Sequence, residues 1–317
     1  MPDINPQLLQ LLGGTFVALT LGTLVRIVAL RGADPDLVRK RMGSLKVWWV
    51  LTCLMSVAVV LGRPGIATIL ALAGCMGLRE LLKLIDPGNI DRSIAAPAFG
   101  AVILQFVLAG SGAVTAALSV VPALSLLVLS TMRLLQGQTT GYLRANAGLF
   151  WSVMLLGYCL SHAVLLTKTS SVHPPVVGEA GWFLFVVIIT EADDIAQALV
   201  GRRIGRRRIT PRISPNKSWE GFLGGVVTSV VLSAVLAPWL TTFPPITSLR
   251  GAAVIVSAGV VIVVAAFLGD INMSAVKRDA GVKDGSTILP GMGGIIDRID
   301  SLTFTAPAMF WFLRCVV

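Results

Sequence analysis

The stretch GAAVIVSAGVVIVVAAFLG (Gly251–Gly269) runs nineteen residues without a charge and stops at Asp270. As a helix rising 1.5 Å per residue it is about as long as a bilayer's hydrocarbon core is thick, roughly 30 Å. Its uniform apolarity suits a helix that faces lipid or other helices, not the two-sided pattern of a soluble surface helix. Phe99–Gly110 and Ala113–Met132 have the same character. Of the 317 residues only 13% are charged and 55% are hydrophobic, against about 25% charged in a soluble domain. The chain is therefore expected to be all-α, a polytopic integral membrane helical bundle.

Ten candidate spans follow, at about 7–30, 47–62, 65–82, 94–110, 113–132, 146–167, 181–200, 221–241, 251–269 and 301–317, which sets the expectation at nine to ten transmembrane helices. No basic segment precedes the first apolar run and Asp3 is acidic, so the first span reads as retained and not as a cleaved signal. The intervening stretches 31–46, 79–92, 133–144, 201–217 and 270–300 hold 21 of the 26 Lys and Arg residues, whereas the alternate loops hold only Arg63, Lys168 and Arg250. The positive-inside rule puts the five basic loops in the cytoplasm and both termini on the other side. A bacterial-type inner (plasma) membrane is the expected location. The net charge of +10 points to anionic lipid head groups; no aromatic-interleaved basic platform for nucleic acid is present.

Cys53, Cys75, Cys159 and Cys315 are scattered through apolar segments and read as buried apolar thiols, not as a disulfide or thiolate metal site. His162, in an apolar segment, and His173, in a loop, do not make a metal site. Residues 1–145 are expected to be a transmembrane scaffold. Residues 146–317 are expected to form the catalytic region, with cytoplasmic loops at 201–220 and 270–300. Nearly all unusual chemistry lies after Thr190.

In the first chemical stretch, Glu191, Asp193 and Asp194 fall inside an apparent membrane helix. Each ionised group at depth costs about 2.5–3.5 kcal/mol, so such a cluster usually faces a polar cavity, a cation or a basic partner. Asp194 and Gln197 are three apart and share a helix face. The arginine run that follows serves topology equally well. That explanation accounts less well for SPNKSWEG (Ser214–Gly221), where Ser214, Asn216, Lys217 and Ser218 supply donors suited to phosphate oxygens. Trp219 reads equally as an interfacial anchor.

In the second, Asp270 emerges from an apolar segment, with Lys277 two turns on along the same face. Lys283-Asp284-Gly285 reads as a turn, and Asp297 and Asp300 share a face at the start of the last helix. Helix capping and Asp–Arg pairing explain any one of these carboxylates, but not the density of Asp, Lys and Gly across the whole run. Hard oxygen ligands of this kind suit Mg²⁺, which also binds substrate phosphates. The glycines permit close backbone approach to a ligand.

These motifs resemble the phosphatidate cytidylyltransferase (CDP-diacylglycerol synthase) family. Its signature is read here in Ser274-Ala-Val-Lys277-Arg278, Lys283-Asp284, Pro290-Gly-Met-Gly-Gly294 and Asp297-Arg298-Ile-Asp300. An upstream pattern matches Asp194, Gly201 and Ser214-Pro-Asn-Lys217-Ser-Trp219-Glu-Gly221. The resemblance covers the last 130 or so residues. It implies transfer of CMP from CTP to phosphatidic acid, or a related lipid phosphate, giving CDP-diacylglycerol and pyrophosphate with Mg²⁺ as cofactor. Asp270, Lys277, Asp284, Asp297 and Asp300 would be catalytic, with the four aspartates as metal ligands or close to them. Asp194, Ser214, Asn216, Lys217, Ser218, Arg278, Lys283, Gly293, Gly294 and Arg298 would bind substrate. Met292 stands where the family has histidine, and Ile195–Ala198 replace its small-residue and Ala-Tyr positions, which points to an altered contact near the phosphates. Membrane lipids and CTP are the expected partners, and a homodimer is left open. A polyprenol kinase or another CTP-dependent lipid enzyme is the nearest alternative. A transporter is weaker, because the charges gather on one side and no repeat or pair of broken helices is evident.

Overall fold

The computed structural model describes residues 5–316 except 33, 86–91, 136, 138, 140, 170–174, 283, 284, 287, 290 and 291. His173, Lys283, Asp284, Pro290 and Gly291 lie outside the described residues. The described chain forms ten helical rods. They are α1 (Pro6–Ala29), α2 (Pro35–Val60), α3 (Gly62–Ile85), α4 (Arg92–Ser111), α5 (Val114–Leu135), a composite rod, α8 (Gly181–Ile204), α9 (Trp219–Leu240), α10 (Leu249–Asp279) and α11 (Ile296–Val316). The composite rod joins α6 (Tyr142–Val153), a π-helical turn (Met154–Cys159), α7 (Leu160–Leu165) and a 3₁₀ turn (Leu166–Lys168). Eight of the ten are long and apolar enough to cross a membrane. The other two, α8 and α11, are similar in length and carry the charges of the candidate site. The protein is a polytopic helical membrane protein.

Helix starts follow local chemistry. Asp34 accepts the amides of Asp36 and Leu37, with Pro35 in the first turn; this cap starts α2 twelve residues before the expected 47. Ser218 caps α9 through the Gly221 amide and Ser248 caps α10 through Gly251. Gly62 takes a left-handed φ of 71°, which lets the chain reverse directly from α2 into α3.

The inside and outside of α9 show what solvent this bundle is built for. Its buried stripe is Gly221, Gly225, Ser229, Ser233 and Ala237, spaced every four residues. Its outward face carries Leu223, Val227, Val231 and Val235. Small residues turn inward so that helix backbones approach closely, and aliphatic ones face lipid, as membrane packing requires. A Cβ on Gly221 would lie 2.7 Å from the Gln197 carbonyl of α8, and one on Gly269 would lie 2.6 Å from the Asp300 carbonyl of α11. The closest packing in the molecule is accordingly α8 on α9 and α10 on α11.

Three expectations need correction. The stretch 201–217 is not a simple loop: α8 continues to Ile204, and β1 (Arg208–Thr210) pairs antiparallel with β2 (Ser214–Ser218), so the otherwise all-α chain holds one short hairpin. The stretch 270–300 is helical at both ends, because α10 runs on to Asp279 and α11 starts at Ile296. The four cysteines are free, but Cys53 and Cys315 are exposed on the outer surface of the bundle, not buried.

Candidate active site

Four elements bring charge to one end of the bundle: the α8 C-terminal half, the hairpin, the end of α10 and the start of α11. Lys217, on β2, is the centre of the first cluster. Its Nζ lies 2.7 Å from Asp270 Oδ2 and donates to Gln197 Oε1 at 3.1 Å, with the Phe267 ring beneath it. Gln197 turns its amide to Asp193 Oδ2, at 2.7 Å. The helical partner of Gln197 is thus Asp193, four residues back, and not Asp194. Gly225 makes this possible, because a Cβ there would collide with Asp193 and Gln197. Burial alone would lower the Lys217 pKa, but Asp270 and then Asp194 outweigh it and raise it above the ordinary lysine value. Lys217 is a firmly held cation.

The second cluster surrounds Asp297. Lys277 Nζ lies 2.6 Å from Asp297 Oδ1, both largely buried. Asp297 Oδ2 accepts the amides of Gly294 (3.0 Å) and Gly285 (3.3 Å). Gly293 has φ 87°, and a Cβ on it would sit 2.7 Å from Asp297 Oδ2. The two glycines therefore make room for protein carboxylates: Gly293 for Asp297, and Gly294 for Glu80, whose Oε2 would lie 2.5 Å from an added Cβ.

Glu80 is the functional residue that sequence reasoning missed. It lies on α3, in the half read as scaffold, and is almost fully buried. Its carboxylate accepts the Ser286 hydroxyl and the amides of Ile295 (3.1 Å) and Ile296 (3.0 Å). It thereby holds both the loop before α11 and the first free amides of that helix. The available signal was that Glu80 is the sole acidic residue of α3, in a helix otherwise fit to span lipid.

Between the clusters lie Asp194, Asp270 and Asp300. Asp194 Oδ2 accepts the Ser301 hydroxyl at 2.9 Å, Asp300 Oδ1 accepts the Ser301 amide at 2.9 Å, and Ser274 donates to Asp270 Oδ1 at 3.3 Å. Asp194 and Asp300 each feel the charge of Asp270, and Asp300 also feels Asp194 and Lys277. Asp194 Oδ1 is buried with no hydrogen-bond partner among the described residues. Among the described residues, no group of three or more His, Cys, Asp or Glu side chains closes into a metal cage. Mg²⁺ does not need one: it commonly takes one or two carboxylates and completes its shell with water and substrate phosphate. An orphaned buried carboxylate oxygen beside two mutually repelling carboxylates fits such a cation.

The remaining sequence candidates separate by place. Arg278 donates to the Ile213 and Val282 carbonyls, tying the hairpin turn to α10. Ser218 is occupied as the α9 cap. Asn216 accepts Arg208 through its backbone carbonyl, and Ser214 pairs with Thr210 across the hairpin. Arg298 places its charge near Glu191 and Asp194, and its Nε is buried without a partner among the described residues. Met292 donates its amide to the Leu289 carbonyl in a tight turn closed by the Leu289–Gly293 bridge.

Residues 43–316 match the cytidylyltransferase family. The chain belongs to that family. It is a nucleotidyltransferase. A relative from Escherichia coli (strain K12), Uncharacterized protein YnbB, is 34% identical over 307 residues, covering 94% of this chain and 96% of its own length. The Phosphatidate cytidylyltransferase of Synechocystis sp. is 51% identical over 55 residues, 17% of this chain and 19% of that protein. That of Pseudomonas aeruginosa is 45% identical over 67 residues, 20% and 22%. The chain thus matches about a fifth of the length of each of these two enzymes.

Proposed function

We propose that this cytidylyltransferase moves CMP from CTP to the phosphate of phosphatidic acid, releasing pyrophosphate and CDP-diacylglycerol on the cytoplasmic side of a bacterial-type inner membrane. The observation that carries the proposal is the pairing of two largely buried lysines, Lys217 and Lys277, with Asp270 and Asp297 around Asp194 and Asp300 at one end of the bundle.

The chemistry needs no protein nucleophile. A lipid phosphate oxygen attacks the α-phosphorus of CTP; that new P–O bond forms as the bond between the α-phosphorus and the bridging oxygen breaks, and pyrophosphate leaves with the electron pair. Both reactants are anions, so the protein's task is to align them and to offset their repulsion. Lys217 and Lys277 are the cations placed for it, on two sides of the aspartate cluster. Mg²⁺ would be held by Asp194, Asp270 and Asp300, and when bound it supplies charge neutralisation and orientation of the phosphates. Asp297, engaged by Lys277 and two loop amides, would join only when a phosphate draws that lysine away. Asp284 and Lys283 are proposed beside them from the sequence motif alone. Arg298, beside Asp194, is the remaining phosphate partner proposed; Arg278 would act by positioning the hairpin.

The test is product analysis. Purified protein with CTP, Mg²⁺ and phosphatidic acid should release pyrophosphate and yield CDP-diacylglycerol by mass spectrometry. Transfer of the γ-phosphate with release of CDP would instead make the protein a lipid kinase. A second acceptor is favoured by Met292: where the family signature has histidine, methionine neither donates a strong hydrogen bond nor moves a proton. Release of pyrophosphate with another lipid phosphate, and none with phosphatidic acid, would reassign the acceptor.

A further inference from the structure

At the end of the bundle opposite the candidate active site, positive charge is scarce in sequence but concentrated in space. Lys168, at the end of the composite rod, and Arg314, at the end of α11, line a cavity of about 340 Å³ together with Thr169, Phe310 and Leu313. Thr169 Oγ1 is buried there with no hydrogen-bond partner among the described residues. Arg314 lies over the Phe310 ring, 5.3 Å from its centre, and neither Lys168 nor Arg314 has an ion pair among the described residues. Arg63 completes the group. A Cβ on Gly112 would lie 3.1 Å from Arg63 Nη1 and 3.5 Å from Lys168 Nζ, so these two cations are near neighbours. Glu179, at 2.6 Å, offsets Arg63 alone.

A second cavity, about 530 Å³, begins beside this cluster. It is an apolar groove between α3 and α4, running from Pro64 and Gly110 past Ala71 and Val107 to Cys75 and Phe106. Gly112 immediately follows the end of α4 and separates the groove from the cationic pocket. An apolar groove that ends at clustered cations, of which Lys168 and Arg314 have no ion pair among the described residues, and at a buried hydroxyl is complementary to a lipid with an anionic phosphate head.

We propose that this pair of cavities binds an anionic phospholipid from the leaflet opposite the candidate active site. Its phosphate meets Lys168, Arg314 and the Thr169 hydroxyl, and one acyl chain lies in the α3–α4 groove. This lipid is a resident ligand and not the acceptor, because the Asp194, Asp270 and Asp300 cluster is at the other end of the helices.

The full chain in a mild non-ionic detergent, titrated with phosphatidylglycerol and followed by native mass spectrometry and thermal shift, tests the proposal. Phosphatidylglycerol should bind and raise the melting temperature; phosphatidylcholine and glycerol 3-phosphate should do neither. Lys168→Ala with Arg314→Ala should weaken phosphatidylglycerol binding at least tenfold, and Val107→Trp, which fills the groove, should do the same. Arg250→Ala, a cation at the same end outside both cavities, should bind as the parent does. If the alanine pair does not fold, Lys168→Gln with Arg314→Gln replaces it. Unchanged binding in a folded double variant, equal binding of phosphatidylcholine, equal stabilisation by glycerol 3-phosphate, or an equal loss with Arg250→Ala would each overturn the site.

Discussion

The carboxylate of Glu80 on α3 accepts the backbone amide of Ile296, the first residue of α11, 216 positions away in the chain, at 3.0 Å. With the Ile295 amide and the Ser286 hydroxyl on the same group, this contact sets where α11 begins, and therefore where Asp297 and Asp300 point. Hydrogen bonds to a charged group are worth about 1.5–3 kcal/mol each. Glu80→Ala is expected to lower the melting temperature and to cut CTP-dependent turnover at least tenfold, without contacting either substrate. Glu80→Gln should recover part of the stability, since its carbonyl still accepts. Normal turnover in Glu80→Ala would show that the loop holds its shape unaided.

Lys217 is expected to matter more for rate than for folding. Lys217→Gln removes the cation beside Asp270 and should lower turnover on the order of 10²-fold, the usual scale for losing one preorganised charge-stabilising group. Pairing it with Asp270→Asn in a double-mutant cycle separates roles. Losses that multiply would mean the two act independently, whereas coupling is the expected result.

Gly269 allows α10 to meet α11. Gly269→Ala drives a methyl against the Asp300 carbonyl and the Ser301 Cα, at 2.6 and 3.1 Å, and backbone cannot swing aside as a side chain can. A loss of about 1–3 kcal/mol is expected, read as a lower melting temperature together with reduced activity. An unaltered melting temperature would mean that the helices separate at little cost.

Metal removal should silence the enzyme reversibly. Chelation is expected to stop pyrophosphate release, and added Mg²⁺ to restore it. Asp194→Asn should raise the Mg²⁺ concentration needed for half-maximal rate. Asp193→Asn, which changes the acceptor of the Gln197 amide and leaves the Asp194 carboxylate in place, should shift that concentration by less than Asp194→Asn does. A shift of equal size in both variants would argue against Asp194 as a ligand.

Much of this site was legible in the sequence because charge is costly inside a membrane helix. Asp194, Asp270, Asp297 and Asp300 stand out against apolar neighbours for that reason, and Lys217 and Lys277 follow from the same motifs. The helical spans were legible too, though α2 and α10 extend beyond their apolar cores. There the helix is set by the cap at Asp34 and by contacts to the hairpin, and not by hydropathy. Glu80 was not legible as a site residue. Its partners are main-chain amides more than 200 residues away, and a lone acid carries no pattern. The hairpin escaped notice because its strands are only three and five residues long and largely polar, so they carry no apolar alternation. Gly293 and Gly294 were expected to let the backbone approach phosphates; the side chains they leave room for are those of Asp297 and Glu80.

The pairing of Lys217 and Lys277 each with an aspartate also has a kinetic consequence. An anionic substrate reaching Lys217 or Lys277 does not meet a bare cation; it must take the lysine from the aspartate that already holds it. The abandoned carboxylate is then costly, by about 3–5 kcal/mol for a fully buried partner, unless another cation replaces the lysine. Nucleotide without a divalent ion, or the ion without nucleotide, leaves one side of that exchange uncompensated. Their arrival is therefore expected to be strongly cooperative, and the resting enzyme to have little affinity for the many other phosphate anions at the membrane surface.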